Sequence, residues 1–184
     1  LGGKSAAIIY PDADIDKAVD STIKGIFKPN AGQICVAMSR VIIHPKVKDE
    51  YMTKLVSKTK ELKIGAGDNS STEVTPLISK EQIKRVSNYV KSGIQSGATL
   101  TLGGEELEIG KGNYYLPTIF DNVDKDSTIA QEEIFGPVTS IFDFEDNEQA
   151  IEIANSTNYG LASGVFTSDD QKAKWTAERI NAGI

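Results

Sequence analysis

The chain has 184 residues, of which 39% are hydrophobic and 25% are charged, as is ordinary for one globular domain with a sizeable core. The formal net charge is −6 and basic residues form no stripe, which argues against nucleic-acid binding. The apolar runs fall far short of the roughly 20 residues that cross a bilayer, and no signal-peptide pattern opens the chain, so we expect a cytoplasmic protein without membrane contact.

Short β-rich runs alternate with longer helical patterns, which is typical of an α/β fold. The predicted elements are a strand at 5–10, a helix with apolar residues from 15 to 26 that ends at 29–30, a strand at 41–44, a helix at 46–62, a helix at 80–96, two strands between 99 and 120, a strand at 138–144, a helix at 147–155, a strand at 162–167 and a helix at 169–181. We therefore expect a single domain over residues 1–184, a layered αβα fold with a mostly parallel sheet.

Two local signals refine this assignment. Residues 63–78 contain glycines, serines and a proline with little periodicity, which indicates a surface loop. Ser79 followed by Gln82 is the spacing of a capping box, so a helix is expected to start there.

Cys35 is the first candidate for chemistry, within the segment 32–35, Gly-Gln-Ile-Cys. A lone cysteine is more often a small buried apolar residue than a nucleophile. Gly32 permits a close approach of backbone to ligand, and a helix starting at Cys35 would favour the thiolate and offer N–H donors to an oxyanion. With one cysteine and one histidine, an internal disulfide and the usual Cys/His zinc frameworks are excluded, and no metal site is expected.

The only histidine, His44, lies at the end of a predicted strand beside Pro45. A structural or surface role suits that position better than pairing with Cys35, so cysteine-protease chemistry is disfavoured. A carboxylate is the better candidate for a base.

A second candidate is the segment 131–137, Gln-Glu-Glu-Ile-Phe-Gly-Pro, which leads into a predicted strand. Its spacing permits one carboxylate and one ring to face a ligand, and a solvated loop with Phe135 in the core is the alternative. The glycines at 2–3, 65–67 and 103–104 match neither GxGxxG nor GxxxxGK[ST] spacing. The chain therefore holds no complete dinucleotide-binding fingerprint.

Several motifs, in order along the chain, resemble those of the aldehyde dehydrogenase superfamily. LGGKS at 1–5 resembles the end of the family's ELGGKS segment, GQIC at 32–35 resembles its GQxC active-site segment, and EEIFGP at 132–137 resembles its EEIFGPV segment. Each motif alone is weak, whereas the ordered set is specific and covers essentially the whole chain. The resemblance implies the fold of the cysteine-bearing catalytic domain of that family.

The resemblance also implies a reaction and a cofactor. Cys35 would attack an aldehyde to form a thiohemiacetal, hydride would pass to NAD or NADP, and water would hydrolyse the thioester to a carboxylic acid. The backbone amide of Cys35 would contribute to the oxyanion hole. Glu133 would bind the nicotinamide ribose hydroxyls, Phe135 would pack near the nicotinamide, and the Leu1 carbonyl would lie near the carboxamide. Ile34 and Val36 would line the aldehyde pocket.

The ends of the chain suggest a segment of a longer polypeptide, because it opens at Leu1 without a methionine and stops at Ile184 after a helical pattern. In the resembling family, the general-base glutamate immediately precedes the LGGKS segment. The oxyanion-hole asparagine and most of the cofactor-binding domain lie further upstream, and a C-terminal segment completes the domain. We therefore expect the isolated segment to be inactive and the full-length protein to be a homodimer or homotetramer.

Two alternatives stay open. A CoA-acylating or phosphorylating relative would pass the thioester to CoA or phosphate, and the residue before Leu1 would discriminate. A noncatalytic structural use of the fold is the other, although a structural role requires none of Cys35, Glu133 and Phe135. The aldehyde, and the choice between NAD and NADP, are not decided by these residues.

Overall fold

The computed structural model describes residues 2–184, which are built around a six-stranded sheet. The strands are β1 (Ala6–Ile9), β2 (Arg40–Ile43), β3 (Thr99–Leu102), β4 (Glu106–Leu107), β5 (Tyr114–Tyr115), β6 (Thr118–Asp121), β7 (Val138–Asp143) and β8 (Ser163–Phe166). The order across the main sheet is β3-β6-β7-β2-β1-β8, while β4 and β5 form a separate hairpin.

The five strands from β6 to β8 in that order are parallel, and β3 is antiparallel at one edge. Strands β1, β2 and β7 are almost wholly buried, which is the pattern of a parallel sheet covered on both faces. The predicted mostly parallel sheet is therefore confirmed. The region predicted to hold two strands contains four, because the glycine-rich stretch between β3 and β6 forms its own hairpin.

The helices are α1 (Ile15–Thr22), α2 (Pro45–Lys60), α3 (Lys80–Gln95), α4 (Thr128–Gln131), α5 (Asn147–Ala154) and α6 (Asp170–Ala177). Asp14 caps α1 by accepting from the Lys17 N–H, and Ser79 caps α3 by accepting from the Gln82 N–H. The short helix α4 was not predicted, since a single turn leaves too few residues for a periodic pattern.

Helices cover both faces of the sheet, because successive side chains of a strand point to opposite faces. On one face, Lys48 of α2 contacts the carboxylate of Asp143 at 2.8 Å. On the other, Arg40 donates hydrogen bonds to carbonyls of α5, and Gly93 of α3 packs against the ring of Phe120. The result is the predicted αβα layering.

The helix predicted to end near Pro29 changes character before it ends. After α1 the chain makes a π-helical turn at Ile23–Phe27, in which the Lys28 N–H donates to the Ile23 carbonyl at 3.2 Å. The turn keeps Ile23, Ile26 and Phe27 buried. Single π-helical turns frequently lie beside functional sites, and this one leads directly into the segment that carries Cys35.

The two ends of the parallel strands differ in what they present. At the carboxyl ends, Tyr10, His44 and Phe144 pack edge to face, with ring centroids 5.4 Å and 5.5 Å apart. At the amino ends lie the loops 2–5, 33–39, 132–137 and 158–162, which precede β1, β2, β7 and β8. The residues singled out in the sequence for chemistry therefore lie at the amino ends of the strands.

Candidate active site

The three motif segments and the loop 158–162 meet at the amino edge of the sheet. Residues 2–5 lead into β1, residues 33–39 into β2, residues 132–137 into β7 and residues 158–162 into β8, and these four strands run in the same direction side by side. Ligands of open α/β sheets usually bind at the carboxyl ends of the strands. This site is therefore at the opposite edge from the one that the general rule favours.

Cys35 lies in a turn whose thiol is free and exposed. The turn is closed by the Ala37 N–H, which donates to the Ile34 carbonyl at 3.2 Å. Residues 33–39 contain no helix, so the suggested helix start at Cys35 is wrong, and a helix dipole does not act on the thiol.

His44 is separated from Cys35 by the length of β2, since Cys35 precedes that strand and His44 follows it. Four residues of strand span about 13 Å. The His44 Nδ1 accepts from the Lys46 N–H at 3.2 Å and so caps α2. The structural role predicted for His44 is confirmed.

The backbone before Cys35 adopts a left-handed turn. Asn30, Ala31 and Gly32 have φ values of 51°, 50° and 74°. Gly32 is required at its position, because a Cβ there would overlap the Gly136 carbonyl as well as being strained. This contact joins the Cys35 turn to the segment 132–137 by direct backbone packing.

Two further glycines bring the LGGKS segment against both candidates. A Cβ at Gly3 would overlap the carbonyl oxygen of Cys35, and a Cβ at Gly2 would lie 2.6 Å from Glu133 Oε2. The Gly3 N–H donates to Glu133 Oε1 at 3.0 Å. The backbone of Gly3 therefore touches the Cys35 turn on one side and the Glu133 carboxylate on the other.

Phe135 also has a left-handed backbone, with φ of 59°, and its side chain is 37% exposed. Helix α3 holds this strained loop. The Gln82 Nε2 donates to the carbonyls of Ile134 and Phe135 at 3.2 Å and 2.7 Å, and Arg85 donates to the carbonyl of Glu133 at 2.8 Å. The alternative prediction for this segment was a solvated loop with Phe135 in the core. Its placement of the Phe135 side chain is wrong, because that side chain is exposed.

The bonds of Gln82 correct the predicted capping box. Ser79 accepts from the Gln82 N–H at 3.2 Å, as expected for the first half of the box. The Gln82 side chain does not return to Ser79, because it binds the loop carbonyls instead. Sequence reasoning missed Gln82 and Arg85 as site residues, since only tertiary packing brings α3 to that loop.

The two residues beside Cys35 differ in exposure. Val36 is 40% exposed, whereas Ile34 is half-buried and packs against the core. Ile78 is 81% exposed, and its N–H is bonded to the side chain of Gln33, two residues before the thiol. The predicted contact through Leu1 lies outside the described residues.

Two cations lie buried behind the site. The Arg40 guanidinium donates to the carbonyls of Lys4, Ile153 and Ala154 at 2.7–3.0 Å, and burial lowers its pKa to about 10. The Lys4 ammonium is fully buried and has no hydrogen-bond partner within residues 2–184. The pKa of Lys4 is lowered to about 7, chiefly by burial and next by repulsion from the Arg40 guanidinium. Attraction by Glu133 acts in the opposite direction and raises this pKa.

Two kinds of feature are absent from residues 2–184. Among residues 2–184, no group of three or more His, Cys, Asp and Glu side chains is arranged to hold a metal ion. No helix in that range is both long enough and apolar enough to cross a bilayer.

The fold and the site together define a class of protein, an αβα domain with an exposed cysteine at the amino edge of a mostly parallel sheet. The backbone of this cysteine packs against a glycine whose N–H is bonded to a carboxylate. The sequence model of a protein family described as "Aldehyde dehydrogenase family" matches residues 1–184 of this chain. The chain belongs to the aldehyde dehydrogenase family, which confirms the resemblance in the sequence motifs.

Individual relatives place the chain within longer proteins. Betaine aldehyde dehydrogenase of Bacillus subtilis is 42% identical over 186 residues, which cover 100% of this chain and 38% of that protein. Succinate-semialdehyde dehydrogenase (NADP+) 2 of Schizosaccharomyces pombe is 40% identical over 184 residues, 37% of its length. NAD-dependent aldehyde dehydrogenase from Sinorhizobium meliloti superposes with a TM-score of 0.96 at 39% identity, covering 100% of this chain and 36% of that one. The chain thus spans well under half the length of these relatives.

Proposed function

We propose that the full-length protein containing this segment oxidises an aldehyde to a carboxylic acid with NAD+ or NADP+, using Cys35 as the nucleophile. The observation that carries the proposal is the exposed Cys35 thiol, whose turn packs on Gly3 while Gly3 donates its N–H to the Glu133 carboxylate. A relative supports it: betaine aldehyde dehydrogenase from Staphylococcus aureus has been solved in complex with NAD+ and with a BME-modified cysteine.

The chemistry of Cys35 follows from its thiolate. The sulfur forms a bond to the aldehyde carbon while the carbonyl π electrons move to oxygen, giving a thiohemiacetal. We assign the backbone N–H of Cys35 as one donor to that oxyanion. As the oxyanion collapses, the carbon loses its hydrogen as hydride; bound NAD+ or NADP+ supplies the hydride acceptor. Water then attacks the resulting thioester, and the carboxylic acid leaves as the thiol is restored.

Glu133 and Phe135 are the residues that would hold the nicotinamide end of the cofactor. The Glu133 carboxylate uses one oxygen for the Gly3 N–H, and its other lone pairs are free to accept ribose hydroxyls. The Phe135 ring is exposed on a backbone held rigid by α3, which suits contact with a flat ring. The Leu1 carbonyl is the third assigned contact. Ile34 and Val36 are assigned to the aldehyde pocket.

The test is the aldehyde-dependent absorbance of reduced nicotinamide, measured on the full-length protein with a panel of aldehydes and with NAD+ and NADP+ separately. Turnover that is lost in Cys35→Ala supports the proposal and identifies the substrate class and cofactor. If turnover requires CoA or phosphate, the thioester is transferred rather than hydrolysed. A folded full-length protein without turnover under any of these conditions would overturn the enzymatic proposal.

A further inference from the structure

Gln33 has a buried side chain that uses both ends of its amide. It is 6% exposed. Its Nε2 donates to the Asn30 carbonyl at 2.8 Å, and its Oε1 accepts from the Ile78 N–H at 2.9 Å. The side chain therefore ties the turn that precedes Cys35 to a segment 45 residues away along the chain.

The turn that Gln33 holds is strained. Asn30 and Ala31 are non-glycine residues with left-handed φ values of 51° and 50°. Such conformations are costly for residues that carry a side chain, and they persist only where surrounding contacts hold the backbone in place. Asn30 and Gln33 supply those contacts reciprocally, since the Asn30 Nδ2 donates to the Gln33 carbonyl at 3.2 Å and the Gln33 N–H donates to the Asn30 carbonyl at 3.1 Å.

We propose that Gln33 is a positioning residue for Cys35, which fixes the left-handed turn against the segment at Ile78 and thereby sets the direction of the thiol. Gln33 is two residues from Cys35, and the turn packs on Gly136 through Gly32. Movement of this turn would shift the sulfur relative to both Gly3 and the loop of Phe135. The proposal rests on the function proposed for Cys35.

A residue that only fills space would affect stability without affecting the thiol, so the two roles are separable. Gln33→Met keeps the length of the side chain and removes both hydrogen bonds. Tyr51→Phe is the matched control, because it removes a buried hydrogen bond of 2.8 Å to Thr22 between α1 and α2, away from the site. Asn30→Gly is a second variant that adopts the left-handed φ freely and loses only the bond to the Gln33 carbonyl.

The experiment uses the full-length protein and measures kcat, the KM for cofactor, thermal unfolding, and the rate at which iodoacetamide alkylates Cys35, followed by mass spectrometry of the Cys35 peptide. In Gln33→Met, kcat is expected to fall by about 10- to 100-fold, the effect of a misplacement near 1 Å, with the cofactor KM unchanged. The alkylation rate is expected to differ from that of the native protein in Gln33→Met and Asn30→Gly and to stay native in Tyr51→Phe.

Native kcat and native alkylation in a folded Gln33→Met protein would overturn the positioning role. If Gln33→Met does not fold, Gln33→Glu takes its place, because it keeps an acceptor for the Ile78 N–H and loses the donor to the Asn30 carbonyl. Native kcat and native alkylation in that folded variant would overturn the role. Altered alkylation in a full-length protein that lacks dehydrogenase turnover would uphold the role of Gln33 and refute the proposed function instead.

Discussion

At the scale of single residues, the site depends on glycine positions at which an added Cβ would overlap neighbouring atoms. The sequence indicates that Gly2, Gly3 and Gly32 belong to motifs, but periodicity and composition do not indicate what each glycine touches. That information is in the fold, because the Cys35 carbonyl approaches Gly3 from a turn 32 positions later in the chain. Cys35 could be singled out from the sequence as the candidate nucleophile, since the chain holds a single cysteine.

Gly3→Ala is expected to damage both folding and activity. The added Cβ would overlap the Cys35 carbonyl oxygen, a backbone atom that cannot swing away as the end of a side chain could. Overpacking of this kind typically costs about 1–3 kcal/mol, and we expect the upper part of that range in the free energy of unfolding. Denaturant unfolding of the full-length variant measures the loss, and its kcat should fall with it.

Gly67→Ala is the matched control for this substitution. Its added Cβ would meet only the Thr75 methyl carbon at 3.8 Å, an ordinary van der Waals distance. Gly67 lies in the loop before α3, so its variant should keep native stability and turnover. Equal stability of the two alanine variants would contradict the close backbone packing at Gly3.

At the scale of elements, α3 is both a structural helix and the support of the loop 132–137, for which we propose cofactor contacts. Its start was predictable from Ser79 and Gln82, and its buried face from apolar residues at helical spacing. The role of the Gln82 side chain was not predictable from the sequence, because the carbonyls that accept its hydrogen bonds lie 52 and 53 positions away along the chain. The same limit applies to Cys35, where a helix start was suggested and a turn was found.

Gln82→Ala is expected to weaken cofactor binding more than it slows the chemical step. The substitution removes both side-chain bonds to the Ile134 and Phe135 carbonyls, so the strained loop that carries Glu133 loses support from α3. A loss of about 1–2 kcal/mol corresponds to a rise of roughly 5- to 30-fold in the KM for cofactor. Steady-state kinetics of the full-length variant, at saturating aldehyde, measure this change.

The control is Gln95→Ala, the same substitution at the exposed end of the same helix. Gln95→Ala should leave the cofactor KM native. Comparing the two variants removes any effect that an alanine substitution in α3 has on the stability of the helix itself. A native cofactor KM in Gln82→Ala would show that the loop keeps its shape without the two Gln82 bonds, with the Arg85 bond to the Glu133 carbonyl still in place.

At the scale of the whole molecule, the sheet explains why distant motifs form one site. Alternation of strand and helix patterns predicted the αβα class, and the parallel strands bring their preceding loops to one edge. The strand order and the antiparallel β3 were not predictable, because periodicity reports which face is buried and not which strand is the neighbour. The use of the amino edge follows only once that order is known.

The 184-residue chain alone is expected to show no measurable aldehyde-dependent reduction of NAD+ or NADP+, even when circular dichroism shows that it is folded. It spans 38% of its Bacillus subtilis relative, and the resemblance assigns the general base to the residue before Leu1. Loss of general acid–base assistance alone lowers rates by about 10²- to 10⁴-fold. The assay compares equal molar amounts of this chain, the full-length protein and its Cys35→Ala variant under the same conditions. Turnover by the isolated chain above that of the Cys35→Ala variant would show that residues 1–184 carry a base and a cofactor site of their own, contrary to the roles assigned here.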